Sequence, residues 1–370
     1  MSEQPPFQRL VVKVGASVLT DAAGRPDRGR LQHIAAQMST CMRQHRQVVL
    51  VSSGAIACGM GRLGLKRRPK AQPELQACAA IGQGELMRLY SQAFGEHDLT
   101  VAQVLLTEAD LANRTRCRNA KNTLRILLER RVVPIVNEND VVAVEEIAFG
   151  DNDRLAALVA RLVDAQLLVI LSDVDGVLQD GRVIERIDRL DHGHRALALG
   201  TSRETTTGGM ASKLAAARIS RHSGIPLIIA NGTKPDVLQD ILAGKPVGTL
   251  ITPPAKRLEF HKWWIAFSAR QPLGTVVVDA GASDALVLRG KSLLASGVRE
   301  VRGRFHAGDA IAIVEARQGE LARGLSNFSS SDLQRIKGLK SGELAAALGR
   351  RAPGEVVHRN NLVLTQELER

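Results

Sequence analysis

Through about residue 252, short apolar runs alternate with longer segments whose apolar residues recur at helical spacing, and this rhythm most constrains the fold. The runs are 10–14, 48–51, 101–106, 132–136, 167–171 and 227–230. Between them, Leu31, Ile34, Ala35, Met38 and Met42 share one helical face, as do Leu155, Leu158, Val159 and Leu162. Strand–helix alternation of this kind predicts an α/β layer fold with a mainly parallel sheet. Aromatic residues are only 3% of the chain, so the core must come from Val, Ile, Leu and Ala. That choice suits parallel strands buried on both faces.

The rhythm changes near Thr252-Pro253-Pro254. The stretch 255–274 holds both tryptophans, Trp263 and Trp264, and reads as a connector packed on a domain surface. Beyond it come short runs at 275–279, 285–288, 298–301 and 310–314, separated by Gly or charged turns. That pattern predicts a small all-β barrel. The expected organisation is an α/β domain over 1–254, a linker over 255–273 and a small β domain over 274–370.

The net charge of +12 raises the question of nucleic acid. From Gln271 onward there are 14 Lys and Arg against 11 Asp and Glu, a net +3, which leaves +9 on the first 270 residues. Basicity is therefore not gathered on the β tail, and attraction of anionic substrates explains it as well as RNA does. The four cysteines form no CxxC pair and have no histidines at zinc-ligand spacing, so reduced, buried thiols are expected. No apolar run approaches the ~20 residues of a membrane helix, and segment 1–7 carries no apolar signal region. A soluble cytoplasmic protein without a membrane partner is the expectation.

Two motifs mislead. Gly59, Gly61 and Gly64 satisfy G-x-G-x-x-G, but the preceding strand ends at Val51, so the glycines fall at the far end of the next helix. Gly290-Lys291-Ser292 resembles the end of a phosphate-binding loop, yet Ala285 stands where its first glycine is required. Nucleotide binding must use another scheme.

Five other segments carry chemistry. In VVKVGAS, Lys13 lies in an apolar strand, where a cation is costly unless an anion meets it, and Gly15 lets a phosphate approach the backbone. An edge-strand lysine that snorkels is the bland alternative. In VLVSSGAIA, a strand breaks at Ser52, Ser53 and Gly54 into a helix, an anion site or a plain serine cap. Asn137, Glu138, Asn139 and Asp140 leave a strand, and Asp151, Asn152 and Asp153 open a helix. These clusters suit an α-amino group and the orientation of lysines and magnesium around phosphates. Turn formation is their alternative. Ser172, Asp173, Asp175 and Gly176 end another strand, and Gly208-Gly209 precede a helix with Lys213 in its first turn, a plausible phosphate grip.

Taken in order, VVKVGASVLT, VSSGAIA, LLTEAD, PIVNEND, GDND, LSDVDG, GGMASK, NGTKP and VGTL resemble the glutamate 5-kinase family, a branch of the amino acid kinases. GASDALVLRGKSLLASGV, GRFHAGD and ARGLSNFSSSDLQRIKG resemble the PUA domain that many members carry. The resemblance implies an amino acid kinase-like sandwich with a mainly parallel sheet plus a small all-β PUA-like barrel. It implies ATP-dependent phosphorylation of the L-glutamate γ-carboxylate, with Mg²⁺ on the ATP, as the first step of proline synthesis. Lys13 then contacts ATP, and Ser53, Asp140 and Asn152 bind glutamate. Ser172 and Asp173 belong to the nucleotide loop, and Thr207, Gly208, Gly209, Met210, Ala211, Ser212 and Lys213 to a second phosphate-binding segment that works with Gly15. Asp153 holds the two lysines in place, making Lys13, Lys213 and Asp153 the catalytic set. The resemblance further implies proline as feedback inhibitor. Asp110 and Glu146, on segments close in sequence to the acceptor-site loops, are expected to shape a pocket shared with it, and a homo-oligomer and a glutamyl-phosphate reductase partner are expected.

The chain departs from the family pattern at Thr205-Thr206-Thr207, where a glycine usually precedes the threonine, and at 177–181 after SDVDG. These departures bear on nucleotide affinity. Two rivals stay open: an acetylglutamate or carbamate kinase with another acceptor pocket, and an RNA-binding protein built on the PUA-like tail.

Overall fold

An inner strand of the larger sheet is β1 (Arg9–Val14), apolar from Leu10 to Val14 except for Lys13. The computed structural model describes residues 7–21, 24–143, 152–190, 209–255, 257–268, 272–316 and 319–366. Residues Glu146, Asp151, Thr207 and Gly208, named above, lie outside them. β1 pairs in parallel with β2 (Gln47–Ser52) on one side and β5 (Leu167–Ser172) on the other. With β3 (Val101–Leu106), β4 (Val133–Glu138), β8 (Arg186–Ile187), β9 (Leu227–Asn231) and β10 (Thr249–Ile251) they form one sheet in the order β3-β4-β2-β1-β5-β9-β10-β8. Every pairing is parallel except β9 with β10. Between β5 and β8, β6 (Leu178–Gln179) and β7 (Arg182–Val183) form a hairpin. Asp180 and Gly181 both take positive φ there, as a two-residue hairpin turn requires. The departure at 177–181 is thus a tight turn.

Alternation along β1 sends Leu10, Val12 and Val14 into a core with α2 (Arg28–Arg43), α4 (Gln72–Gly95) and their neighbours. Lys13 points to the opposite face. α7 (Asp153–Leu162) contacts β1 and β5, and α8 (Met210–His222) packs on α7. The chain turns from β4 on one side of β1 to β5 on the other, and ligands bind at the C-terminal edge of such a switch. All four cysteines are free and buried. Burial pushes the Cys41 thiol up to about 11 and the Cys58 thiol up to about 12, so both stay protonated.

The misleading glycines have a packing role. In α3 (Ala55–Arg62), a Cβ at Gly59 would fall 1.9 Å from the Cys78 carbonyl oxygen, and one at Gly82 would fall 1.8 Å from that of Ala55. The two helices touch backbone to backbone, a reason for glycine unconnected with phosphate.

The chain divides into two compact units, Met1–Arg257 and Leu258–Arg370. The second contains a five-stranded sheet in the order β12-β11-β13-β14-β15, antiparallel except where β11 (Gly274–Val278) meets β13 (Ala310–Glu315). The others are β12 (Val298–Gly303), β14 (Gly319–Leu325) and β15 (Leu362–Leu364). The run predicted as a strand at 285–288 lies instead at the end of helix Ala280–Val287. Asp279 caps that helix by accepting from the Ala282 N–H, and one-sided burial of Leu286 with Leu288 76% exposed serves a helix as well as a strand. The two tryptophans belong to this unit. Phe260–Trp263 is helical and Trp263 is buried among Phe260 and Phe267, while His261 bonds Asn361.

The helix contact predicts opposite outcomes for two neighbouring glycines. Gly82→Ala should destabilise by about 1–3 kcal/mol through overpacking. Gly84→Ala, where a Cβ meets nothing within 4 Å, should gain up to ~1 kcal/mol of helix propensity. Urea unfolding of both variants checks this, and equal effects would refute the backbone contact.

Candidate active site at the C-terminal edge of the sheet

Three charged side chains from distant parts of the sequence meet where β1 ends. Asp153, fully buried, opens α7 and takes the Lys13 Nζ at 2.5 Å on one carboxylate oxygen and the Lys213 Nζ at 3.2 Å on the other. Lys13 is 3% and Lys213 5% exposed. The Ser212 hydroxyl lies 2.9 Å from the Asp153 oxygen that Lys213 takes and from the Gly209 carbonyl oxygen, so its one proton serves either. Two ammonium groups around one carboxylate sum to one positive charge. Buried charge is tolerated only when paired and hydrogen-bonded, and Asp153 supplies that pairing to both lysines.

The surrounding backbone offers donors. Gly15 donates its N–H to the Leu171 carbonyl, and a Cβ there would stand 3.8 Å from the Lys13 Nζ. The helices beginning after Gly15, Gly54 and Gly209 have no side-chain cap, so their first amides are left for solvent or ligand. Gly54 makes the turn out of β2 at φ +107, a conformation suited to glycine. Met210 and Ala211 form the first turn of α8 beside Lys213. At the end of β5, Ser172 is buried, its hydroxyl 3.1 Å from an Asp173 oxygen, while Asp175 pairs with Lys234 and Asn231.

Asn152 occupies the cap position of α7 but does not cap it. Its Nδ2 reaches across to the Ser52 carbonyl and the Asn137 Oδ1, both at 2.7 Å, and lies 3.3 Å from the Ser53 hydroxyl. Both its protons are used, so its Oδ1 remains as an acceptor. Behind it, the Ser52 hydroxyl meets the buried Tyr90 hydroxyl at 2.8 Å, and burial pushes the Tyr90 pKa up. Asp140 stands apart from the lysine cluster, with no hydrogen bond or ion pair among the described residues. Burial raises its carboxyl above the usual range, with the positive Arg68 acting weakly against it. A partly desolvated carboxylate without a partner favours an incoming cation.

Asp110 does not offer a free carboxylate near this site. It closes the cap of the helix Glu108–Ala112 with Thr107 and pairs with Arg116 at 3.0 Å. Burial raises its pKa, but the bonds from Thr107 and Arg116 outweigh it and hold the carboxyl below the usual range. The neighbouring Glu108 takes Arg154 at 2.7 Å, tying LLTEAD to the start of α7. Gln83 falls in none of the motifs, although it is polar within the buried stripe Ala79, Leu86 and Tyr90, a signal a helical wheel exposes.

Residues 8–231 match the amino acid kinase family, and residues 274–348 match the PUA domain. The chain belongs to the amino acid kinase family. Its relatives include the glutamate 5-kinase of Moorella thermoacetica, 45% identical over 364 residues and covering 96% of both chains. The glutamate 5-kinase of Meiothermus ruber is 46% identical over 372 residues, covering 98% of this chain and 97% of that one. Among solved structures, carbamate kinase from Giardia lamblia bound to AMP-PNP is 20% identical with a TM-score of 0.49, covering 67% of this chain and 99% of that one.

Asp153→Asn leaves two buried ammonium groups facing a neutral amide. Breaking a buried pair costs about 3–5 kcal/mol, so the variant should lose stability on that scale. ATP should raise its melting temperature more than it raises that of the wild type, because phosphates replace the missing charge. Thermal melts with and without ATP test this, and a variant as stable as the wild type would refute the clamp.

Proposed function

We propose that this chain transfers the γ-phosphoryl group of ATP to the γ-carboxylate of L-glutamate, giving L-glutamyl 5-phosphate for proline synthesis. The observation that carries the reading is Asp153 holding Lys13 and Lys213 together beside Asn152 and Ser53. Near-full-length similarity to glutamate 5-kinases supports the choice of acceptor.

The acceptor carboxylate is already ionised at neutral pH, so the step needs no general base. Its oxygen bonds to the γ-phosphorus while the bond to the bridging oxygen breaks, and ADP leaves with the electron pair. The obstacle is bringing two anions together, which asks for positioning and neutralisation. In this reading Lys13 and Lys213 flank the phosphoryl group, and amides of 208–213 complete the cradle. The Gly15 amide, expected there from the sequence, is spent on the Leu171 carbonyl, so Gly15 contributes close approach beside Lys13 instead. Ser172 and Asp173 border the nucleotide, Asp140 and the Asn152 Oδ1 take the α-ammonium group, and Ser53 donates to a carboxylate. Mg²⁺ arrives as part of the nucleotide substrate and supplies charge neutralisation on its phosphates. Proline, which shares the α-amino acid geometry, competes for the acceptor pocket. An acyl phosphate hydrolyses readily, so a glutamyl-phosphate reductase is the fitting partner, and a homo-oligomeric, cytoplasmic enzyme completes the proposal. No helix among the described residues is long and apolar enough to cross a membrane.

A panel of glutamate, N-acetylglutamate and carbamate with ATP consumption as readout tests the acceptor, and turnover with glutamate alone is expected. Within that assay, Lys213→Met should lower kcat by about 10²–10³, the usual loss for one transition-state donor, with modest effect on the glutamate KM. Wild-type turnover in a folded Lys213→Met variant would remove this lysine from the mechanism.

We also propose that the kinase domain works without the second unit. Truncation after Arg257 retains every candidate site residue and discards Trp263 and Trp264 with the unit that buries them. A chain stopped near 271 would instead leave those rings exposed. The 1–257 chain should fold by circular dichroism and phosphorylate glutamate. A folded but inactive truncation would show that the tail completes the site.

A further inference from the structure

Between α4 and the end of β4 lies a cavity of about 300 Å³ whose lining includes Gln83, Gln103, Asn139 and Asp140. Three amides behind it form a directional chain. The Gln83 Oε1 accepts from the Asn137 Nδ2 at 2.9 Å, and the Asn137 Oδ1 accepts from the Asn152 Nδ2 at 2.7 Å. Asn137 Oδ1 also accepts from the Glu138 N–H, which fixes its orientation. Turning the Gln83 amide over would set two NH₂ groups against each other, so its Nε2 must point away from Asn137. That nitrogen is buried and makes no hydrogen bond, on a residue only 8% exposed. A buried donor left unmade costs about 1–3 kcal/mol, so a partner that arrives with the ligand relieves it.

Two residues that line the cavity therefore hold groups unpaired among the described residues: Gln83 a buried N–H donor directed away from Asn137, and Asp140 a carboxylate whose pKa is raised by burial. Glu138 lines it too but already has an interaction of its own. Ala79, Ala80 and Gly84 supply small walls. A donor and an anionic acceptor in one small cavity complement the carboxylate and ammonium groups of an α-amino acid. We infer that Gln83 Nε2 donates to the α-carboxylate of the amino acid acceptor while its Oε1, through Asn137, orients Asn152. This rests on reading the site as the acceptor site of a glutamate-phosphorylating enzyme, and it adds a specificity residue to that site.

Gln83→Glu separates the two roles, because its carboxylate still accepts from Asn137 but donates nothing. The glutamate KM should rise about 10–100-fold, the worth of one hydrogen bond to a charged group, with the ATP KM unchanged. The probe is 4-aminobutyrate, which is glutamate without its α-carboxylate, measured as a competitive inhibitor against glutamate. Its Ki should stay near the wild-type value, so discrimination between the two ligands shrinks by the same factor as KM rises. Gln83→Met provides a second, uncharged variant expected to raise KM at least as far, with thermal melts reporting folding. A wild-type KM in Gln83→Glu overturns the inference. Equal losses for glutamate and 4-aminobutyrate overturn it too, since they would mean that Gln83 acts only through Asn152. Absence of glutamate turnover in the wild type is a different failure, that of the parent reading, and this inference falls with it.

Discussion

One carboxylate decides where the chemistry of this fold can be. Asp153, with no exposure to solvent, bridges Lys13 and Lys213 across 140 and 60 residues of sequence. Neither lysine could stay in its apolar setting without that anion, and the anion could not stay without them. The three groups bind β1, α7 and α8 into one arrangement.

The parallel sheet brings the remaining parts to the same edge. Because β1, β2, β4, β5 and β9 run the same way, their C-terminal ends lie together, and with them the glycine turns that follow. Helices that start there without side-chain caps at Gly15, Gly54 and Gly209 offer amides for anions. Asn152 gives up an ordinary capping role so that its amide can join β2, β4 and α4 through Ser52, Asn137 and Gln83. Cations therefore gather at the end of β1 beside α7 and α8, while acceptors unpaired among the described residues, the Asn152 Oδ1 and the Asp140 carboxylate, lie towards β4. The helix-packing glycines Gly59 and Gly82 serve this layout indirectly by drawing α3 against α4, the helix that carries Gln83.

What the sequence by itself determined was local. The apolar runs placed β1, β2, β4, β5 and β9 within a residue or two, because strands buried on both faces leave continuous hydrophobic signatures, and the run 101–106 placed the half-exposed edge strand β3. Motif order placed Lys13, Ser53, Asp140, Asn152, Asp153 and Lys213 at strand ends and helix starts, since the glycine and Asx residues that break regular structure are visible one residue at a time. Tertiary structure decided the rest. Spacing cannot reveal that Lys13 and Lys213 share one anion, because that contact depends on which face of β1 a side chain takes and on which helices cover it. Nor could it show that Gln83 keeps an unmade donor, that Asp110 is consumed by a helix cap, or that 280–287 is a helix. The Gln83 donor depends on Asn137 and Asn152, far away in sequence, and hydrogen-bond satisfaction is settled only once they are packed together. The Asp110 cap and the 280–287 helix rest on local partners, Thr107 and Asp279, that a reading of apolar runs passes over.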